Sequence, residues 1–451
     1  MIDTSAPHGG HGVSSDREGV PGTVVAACVV AVALCSVLLV VTNSSLVGDG
    51  SYYLLRAIQT GGAFQLPGRQ VINYVREGPL LIGTTLGITN THVLTVLEGI
   101  GFILFPALAW GLSLAQARRS RVQFTLVALS CGLCFASMII FSVSELTLAL
   151  PLIILASVLL TRPDPWSRVD AAIVLVAVGL LVVAHESVAP CMVVLTVQSL
   201  LRIRARLGVR DTRISSGVAV LALLATAVAL WTLTYRPNSN STDFLTNVEH
   251  ARPSSIVLLV MGGLCLLGWA GLHGRGKRAT WIGWALVVPA GLFTVFGIQS
   301  AVRAGPEAAY AARGFCVLVV LGSQLLLLIH WLRCQRSEGS TDSLRLPVGA
   351  TRGLAVFLVA LMIIPTVCAV RWALVVDAFR STITHNSGVV PAHDVRTPLA
   401  TSYLWPWTNT TLSVVLRSSE SSAVVANSDP INPFPRPAAE QQLPPHYTWG
   451  G

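Results

Sequence analysis

Apolar runs of about twenty residues recur along almost the whole chain, and that recurrence limits the fold more than any other feature of the sequence. Hydrophobic residues make up 53% of the chain and charged residues only 11%, too little polar surface to coat a water-soluble globule of this size. The expected fold is therefore an all-α, multi-pass membrane protein. The runs place spans at 23–42, 92–115, 123–142, 145–161, 169–185, 187–201, 215–235, 255–273, 280–299, 313–332 and 353–372. That is about eleven transmembrane helices, each near the length a bilayer core demands.

Charge sets the orientation. The polar gaps between spans alternate between arginine-rich and arginine-poor. With the N-terminus cytoplasmic, the inner loops are Arg118–Arg121, Arg162–Arg168, Arg202–Arg213, Arg275–Arg278 and Arg333–Arg352, each strongly basic. The net charge of +9 is thus topological, and no nucleic-acid partner is expected. Lys277 is the sole lysine; with abundant Ala, Val and Gly, this points to a GC-rich bacterial genome of the actinobacterial kind and to the plasma membrane.

Three regions follow. Residues 1–22 are polar and expected to be a disordered cytoplasmic N-terminus. Residues 23–372 form the helical membrane domain, in which 43–91 is a long first exterior loop. Residues 373–451 form an extracytoplasmic tail carrying Trp405, Trp407, Trp449, the alternating run Leu412–Leu416 and a proline-rich end from Pro430 to Pro445. The tail is too small and loop-rich for an enzyme domain and is expected to act as a lid or binding appendage. Cys131 and Cys134 share a helix face inside an apolar run, where small packing residues are expected rather than a thiol pair. Neither a disulfide framework nor a zinc cluster is implied.

The candidate chemistry lies on the exterior side. The first loop opens with Gly48-Asp49-Gly50-Ser51-Tyr52-Tyr53, and the spacing of Tyr53, Leu54, Ala57 and Ile58 predicts a short interfacial helix. A second helix is predicted from Pro67, with Arg69, Asn73 and Arg76 on one polar face and Val71, Ile72 and Val75 turned to lipid or core; Arg76-Glu77-Gly78-Pro79 is expected to end it. Two arginines on one face suit a phosphate. Against these readings stand an N-cap role for Asp49 and headgroup snorkelling for the arginines. Glu145 and the pair His185 and Glu186 sit in very tight exterior turns between apolar runs, where ionisable groups are costly and face a cavity or partner. A solvated turn is the plainer alternative for each.

On these residues the chain resembles the GT-C superfamily of polytopic glycosyltransferases, which use polyprenyl-phosphate-linked sugars. The resemblance rests on an acidic residue just after the first span (Asp49), amphipathic helices in a long first exterior loop, a second acidic residue in a tight later exterior turn (Glu145) and a non-cytoplasmic tail. It covers roughly the first 210 residues plus the overall topology. It implies Asp49 as the base, Glu145 as a second acidic group, His185 and Glu186 as lining residues, and Arg69, Arg76 or Arg313 as partners of the donor phosphate. It also implies a polyprenyl-phosphate sugar donor, an envelope glycan, lipid or protein acceptor, and membrane lipid as partners. No cofactor is assigned, and a divalent metal stays open, since the first loop lacks paired acidic residues. The competing expectations are a lipid or solute transporter or flippase, and a non-catalytic protein of envelope assembly.

Overall fold

The structure is a computed structural model that describes residues 19–63, 70–138, 144–205, 207–235, 306–336, 348–395, 408–419, 421–426, 443–444 and 446–450. The expected spans at 255–273 and 280–299, together with Arg69, Trp405 and Trp407, lie outside the described residues.

The described chain is a helical bundle. Its elements are α1 (Gly22–Val41), α2 (Gly50–Thr60), α3 (Gln70–Thr85), α4 (Thr91–Gly99), a π turn (Ile100–Leu104), α5 (Phe105–Ala117), α6 (Arg121–Met138), α7 (Leu146–Leu160), α8 (Arg168–Leu181), α9 (Ala189–Arg204) and α10 (Val209–Tyr235). After the undescribed segment come α11 (Pro306–Arg336), α12 (Val348–Leu361), α13 (Ile363–His385) and α14 (Asn409–Val415). The described strands, β1 (Val389–Val390) and β2 (Val424–Val425), form one short parallel pair. Among the described residues, six helical stretches are long and apolar enough to cross a membrane, and two shorter apolar helices accompany them. Helix is the structure such segments must take, because hydrocarbon offers no partner to a backbone N–H or C=O.

Helix α7 is the axis of the bundle. Every one of its residues is buried, with α5, α6, α8, α9 and α11 packed around it. Its sequence, LTLALPLIILASVLL, is apolar on all faces, as a helix with no exposed side must be. The outer helices instead turn an apolar stripe outward: on α1, Val30, Leu34, Val37 and Val41 are exposed at helical spacing, the face a lipid-contacting helix presents. Polar side chains join the helices at depth. Gln324 of α11 donates to Ser157 Oγ of α7 at 3.0 Å and to the Cys191 carbonyl of α9 at 3.3 Å, while Ser130 and Ser323 bond at 2.7 Å. Cys134 sits in this packing, its thiol 3.7 Å from the Cys316 carbonyl.

Several sequence expectations need correction. The second loop helix does not end at Gly78-Pro79; α3 runs through Pro79 to Thr85, held by packing against α4 and the π turn. Its polar face also points inward, with Asn73, Arg76 and Glu77 buried and Val71 and Tyr74 exposed. The arginine of this helix therefore meets protein rather than headgroups. The last span does not stop at residue 372: α13 continues to His385 after a break at Met362. The run Leu412–Leu416 is not extended; it falls in the helical turns of α14.

The basic loops are more structured than a topological signal requires. Arg202 pairs with Asp211 at 2.6 Å and stacks over Trp166 with its guanidinium carbon 4.2 Å from the ring centroid. It also donates to the carbonyls of Leu160 at 3.2 Å and Asp164 at 2.8 Å. Arg162 pairs with Asp170 at 3.2 Å and bonds the Gln116 side chain. Asp170 closes a capping box with Ser167 at the start of α8.

Candidate functional site

The other end of α7 carries the candidate site. Glu145 is the N-cap residue of α7 and is buried, where the positive end of the helix dipole favours a carboxylate. Arg76, on α3, is also buried. Burial pulls its guanidinium below its ordinary value; the Glu145 carboxylate opposes this most strongly, followed by Tyr53, Glu77 and Glu98. The guanidinium donates to Asn73 Oδ1 at 3.4 Å and lies 4.2 Å from the centre of the Phe102 ring, which in turn meets Tyr53 edge-on at 6.3 Å. Residues from α2, α3, α4, α7 and the π turn thus converge on one buried charge.

Backbone geometry fixes this arrangement. Gly101, inside the π turn, lies so tightly against the Arg76 carbonyl that no Cβ could fit there. A π turn widens the helix locally, and here it lets α3 dock directly on the second membrane segment.

The other expected site residues are placed as follows. Asp49 occupies the N-cap position of α2, half-buried, but its side chain does not cap the helix. It lies one turn before Tyr53, whose N–H bonds the Asp49 carbonyl at 3.0 Å, so the two lie on one side of the helix. His185 accepts the Ser187 N–H at Nδ1 at 3.1 Å, capping the turn that opens α9. The Glu186 carboxylate is 3.7 Å from the same nitrogen. Because Nδ1 is used as an acceptor, that contact is not a donated hydrogen bond, and His185 serves the turn first. Arg313 is half-buried in the first turns of α11, a helix that also contacts the Glu186 turn. The structure thus brings Arg76 to Glu145 and His185 to Glu186, with Asp49 one turn before Tyr53 of the first group.

The tail covers this end. Thr448 forms a parallel bridge with Asn90, its carbonyl accepting the Thr91 N–H at 2.8 Å. Thr411 of α14 bonds Ser51 of α2 at 2.9 Å, the Trp449 ring lies 4.9 Å from that of His92 at a 53° tilt, and the Arg380 guanidinium carbon is 5.4 Å from the Trp449 ring centre. The Thr411–Ser51 bond ties the tail to the helix that Asp49 opens.

Compared with family models, curated proteins and solved structures, the chain matches none. The site is therefore read from its own chemistry.

Two members of the cluster escaped the sequence reading. Glu77 reads in the sequence only as part of a helix stop. Glu98 is fully buried in α4, and it is the one acidic residue inside the apolar run 92–115, which was itself the signal. Among the described residues, no group of three or more His, Cys, Asp or Glu side chains is placed to hold a metal ion.

Proposed function

We propose that this chain is a membrane glycosyltransferase of the GT-C kind. It would move a sugar from a polyprenyl-phosphate donor to an envelope glycan, lipid or protein acceptor at the outer face of a bacterial plasma membrane. The observation that carries the reading is the joining of Arg76, from the first loop, to Glu145, from a turn far along the chain, beneath a tail that holds the Asp49 helix. A constellation assembled from separate stretches at one end of an apolar bundle fits chemistry on a lipid-borne substrate.

The roles follow from environment. Asp49, half-buried at the start of α2, is the base that takes the acceptor's proton. Arg76 already faces several carboxylates and orders the site rather than receiving an anion. Arg313, half-buried at the mouth of α11, is the better partner for the departing phosphate, with Arg69 available for the same task. The lipid-linked donor meets the requirement that activated sugar be present outside the cell. Membranes containing Asp49→Asn should lose labelled-sugar transfer by about 10²-fold or more, with Arg313→Ala also impaired. Full transfer by a stably folded Asp49→Asn protein would remove the proposed base.

A second reading, a proton-linked transporter or flippase, is favoured by one observation: a buried carboxylate, Glu98, within a membrane-crossing segment. Solute or lipid movement in reconstituted vesicles, driven by a pH gradient and absent from transfer assays, would establish it instead.

A further inference from the structure

The interior of the bundle carries a polar joint that the reaction just described does not use. Gln324 of α11 and Gln198 of α9 are both 0% exposed. Gln324 Nε2 donates to Ser157 Oγ of α7 at 3.0 Å and to the Cys191 carbonyl of α9 at 3.3 Å. Gln198 Nε2 donates to the Gln324 backbone carbonyl at 3.2 Å. Cys191 and Gln198 stand about two turns apart on α9, and Gln324 meets both, so three helices share one polar seam. The neighbouring Ser323 joins α11 to Ser130 of a fourth helix, α6.

The carbonyls fix how the two amides are turned. Each NH2 end must face the carbonyl it meets, because the reverse orientation would set two acceptors against each other. The carboxamide oxygens are thereby committed to the other side, and neither Gln198 Oε1 nor Gln324 Oε1 has a hydrogen-bond partner among the described residues. An amide oxygen sealed in an apolar core without a donor is costly. What the seam lacks is therefore a donor, and it lacks one at two places on adjoining helices.

We propose that the joint between α7, α9 and α11 is a binding site for ordered water, which donates to Gln198 Oε1 and Gln324 Oε1. Water suits the seam because it donates twice, brings no charge and can accept from the Ser157 hydroxyl, which has a proton of its own to give. An ion suits it less. No acidic residue occurs in α7, in α9 or in α11 from Ala312 to Arg336, so a cation would be buried without a counter-charge, and an anion would meet the oxygens rather than a donor. The axis of the bundle is thus joined to two of its neighbours through held solvent as well as through direct bonds. The inference holds under either reading of the function, since neither a sugar nor a transported solute enters it.

The test uses the full chain in lipid nanodiscs, with isotope-labelled glutamine side-chain amides, and needs no substrate. Solid-state NMR reads which of these amides has water in contact with it. Gln198→Met and Gln324→Met keep the length of the side chain, and each assigns its own amide by removing it. In the wild type both amides should show a cross-peak to water although both side chains are buried. Gln324→Met removes one of the two oxygens, so the water cross-peak of the Gln198 amide should fall at least about twofold while the amide resonance stays; Gln198→Met should do the same to the Gln324 amide. Should one variant fail to fold, the other still assigns its own amide and so reads the water contact of that amide in the wild type. Dry amides in the wild type, or water cross-peaks that neither variant weakens, would overturn the proposal. Loss of the proposed sugar transfer would leave these spectra untouched.

Discussion

Arg202 and Arg76 stand at the two ends of the same buried helix, and the groups that meet them differ. Each is 1% exposed, and each lies 4.2 Å over an aromatic ring, Trp166 in one case and Phe102 in the other. Arg202 meets a single carboxylate at 2.6 Å and the carbonyls that close α7, so its charge is matched one to one at the negative end of the helix dipole. Arg76 faces Glu145, Glu77 and Glu98 together. Burial and stacking mark both positions; the number of acidic side chains that each guanidinium faces separates them.

That contrast can be broken by experiment, beginning with the knot. Asp211→Asn leaves Arg202 buried without its carboxylate and should cost about 3–5 kcal/mol, read as a large fall in the thermal unfolding temperature of the solubilised protein. A loss below that range would mean the backbone carbonyls suffice and the one-to-one pairing is incidental. Glu145→Gln should cost less, about 1.5 kcal/mol in the same assay, because Glu77 and Glu98 still face Arg76. If it costs as much as Asp211→Asn, the two ends are electrostatically alike and the comparison fails. Arg119→Ala supplies the baseline: its 3.7 Å pair with Asp164 joins side chains 58% and 39% exposed, and its removal should shift stability by no more than about 0.5 kcal/mol.

The sequence shows some of this and hides the rest for physical reasons. Helix α2 is legible because Tyr53, Leu54, Ala57 and Ile58 repeat at helical spacing, and that periodicity is local. The extent of α3 is not, since Gly78 and Pro79 read as a stop and only the close approach of Gly101 explains why the helix continues. Arg162 and Arg202 announce themselves as inner-loop cations, but their burial depends on Trp166, Asp170 and Asp211, whose proximity is created by the packing of α7, α8, α9 and α10. The convergence of Arg76 with Glu145 is of the same kind: both residues stand out singly, and their meeting requires α7 to be the bundle axis. His185 illustrates the opposite outcome. Its position between apolar runs singles it out, yet its ring nitrogen is occupied by the Ser187 N–H, a local capping role that one-dimensional reading does not separate from chemistry.

The bridge between Asn90 and Thr448 has a consequence for how the molecule is made. The start of the second membrane segment obtains its partner from residues that leave the ribosome only after the helices from α5 to α14. This end of the bundle must therefore wait, partly assembled, while the intervening helices enter the bilayer. Biogenesis is thereby ordered, with this end of the bundle closed after those helices are in place, and a chain shortened before Thr448 would insert normally yet keep that end open.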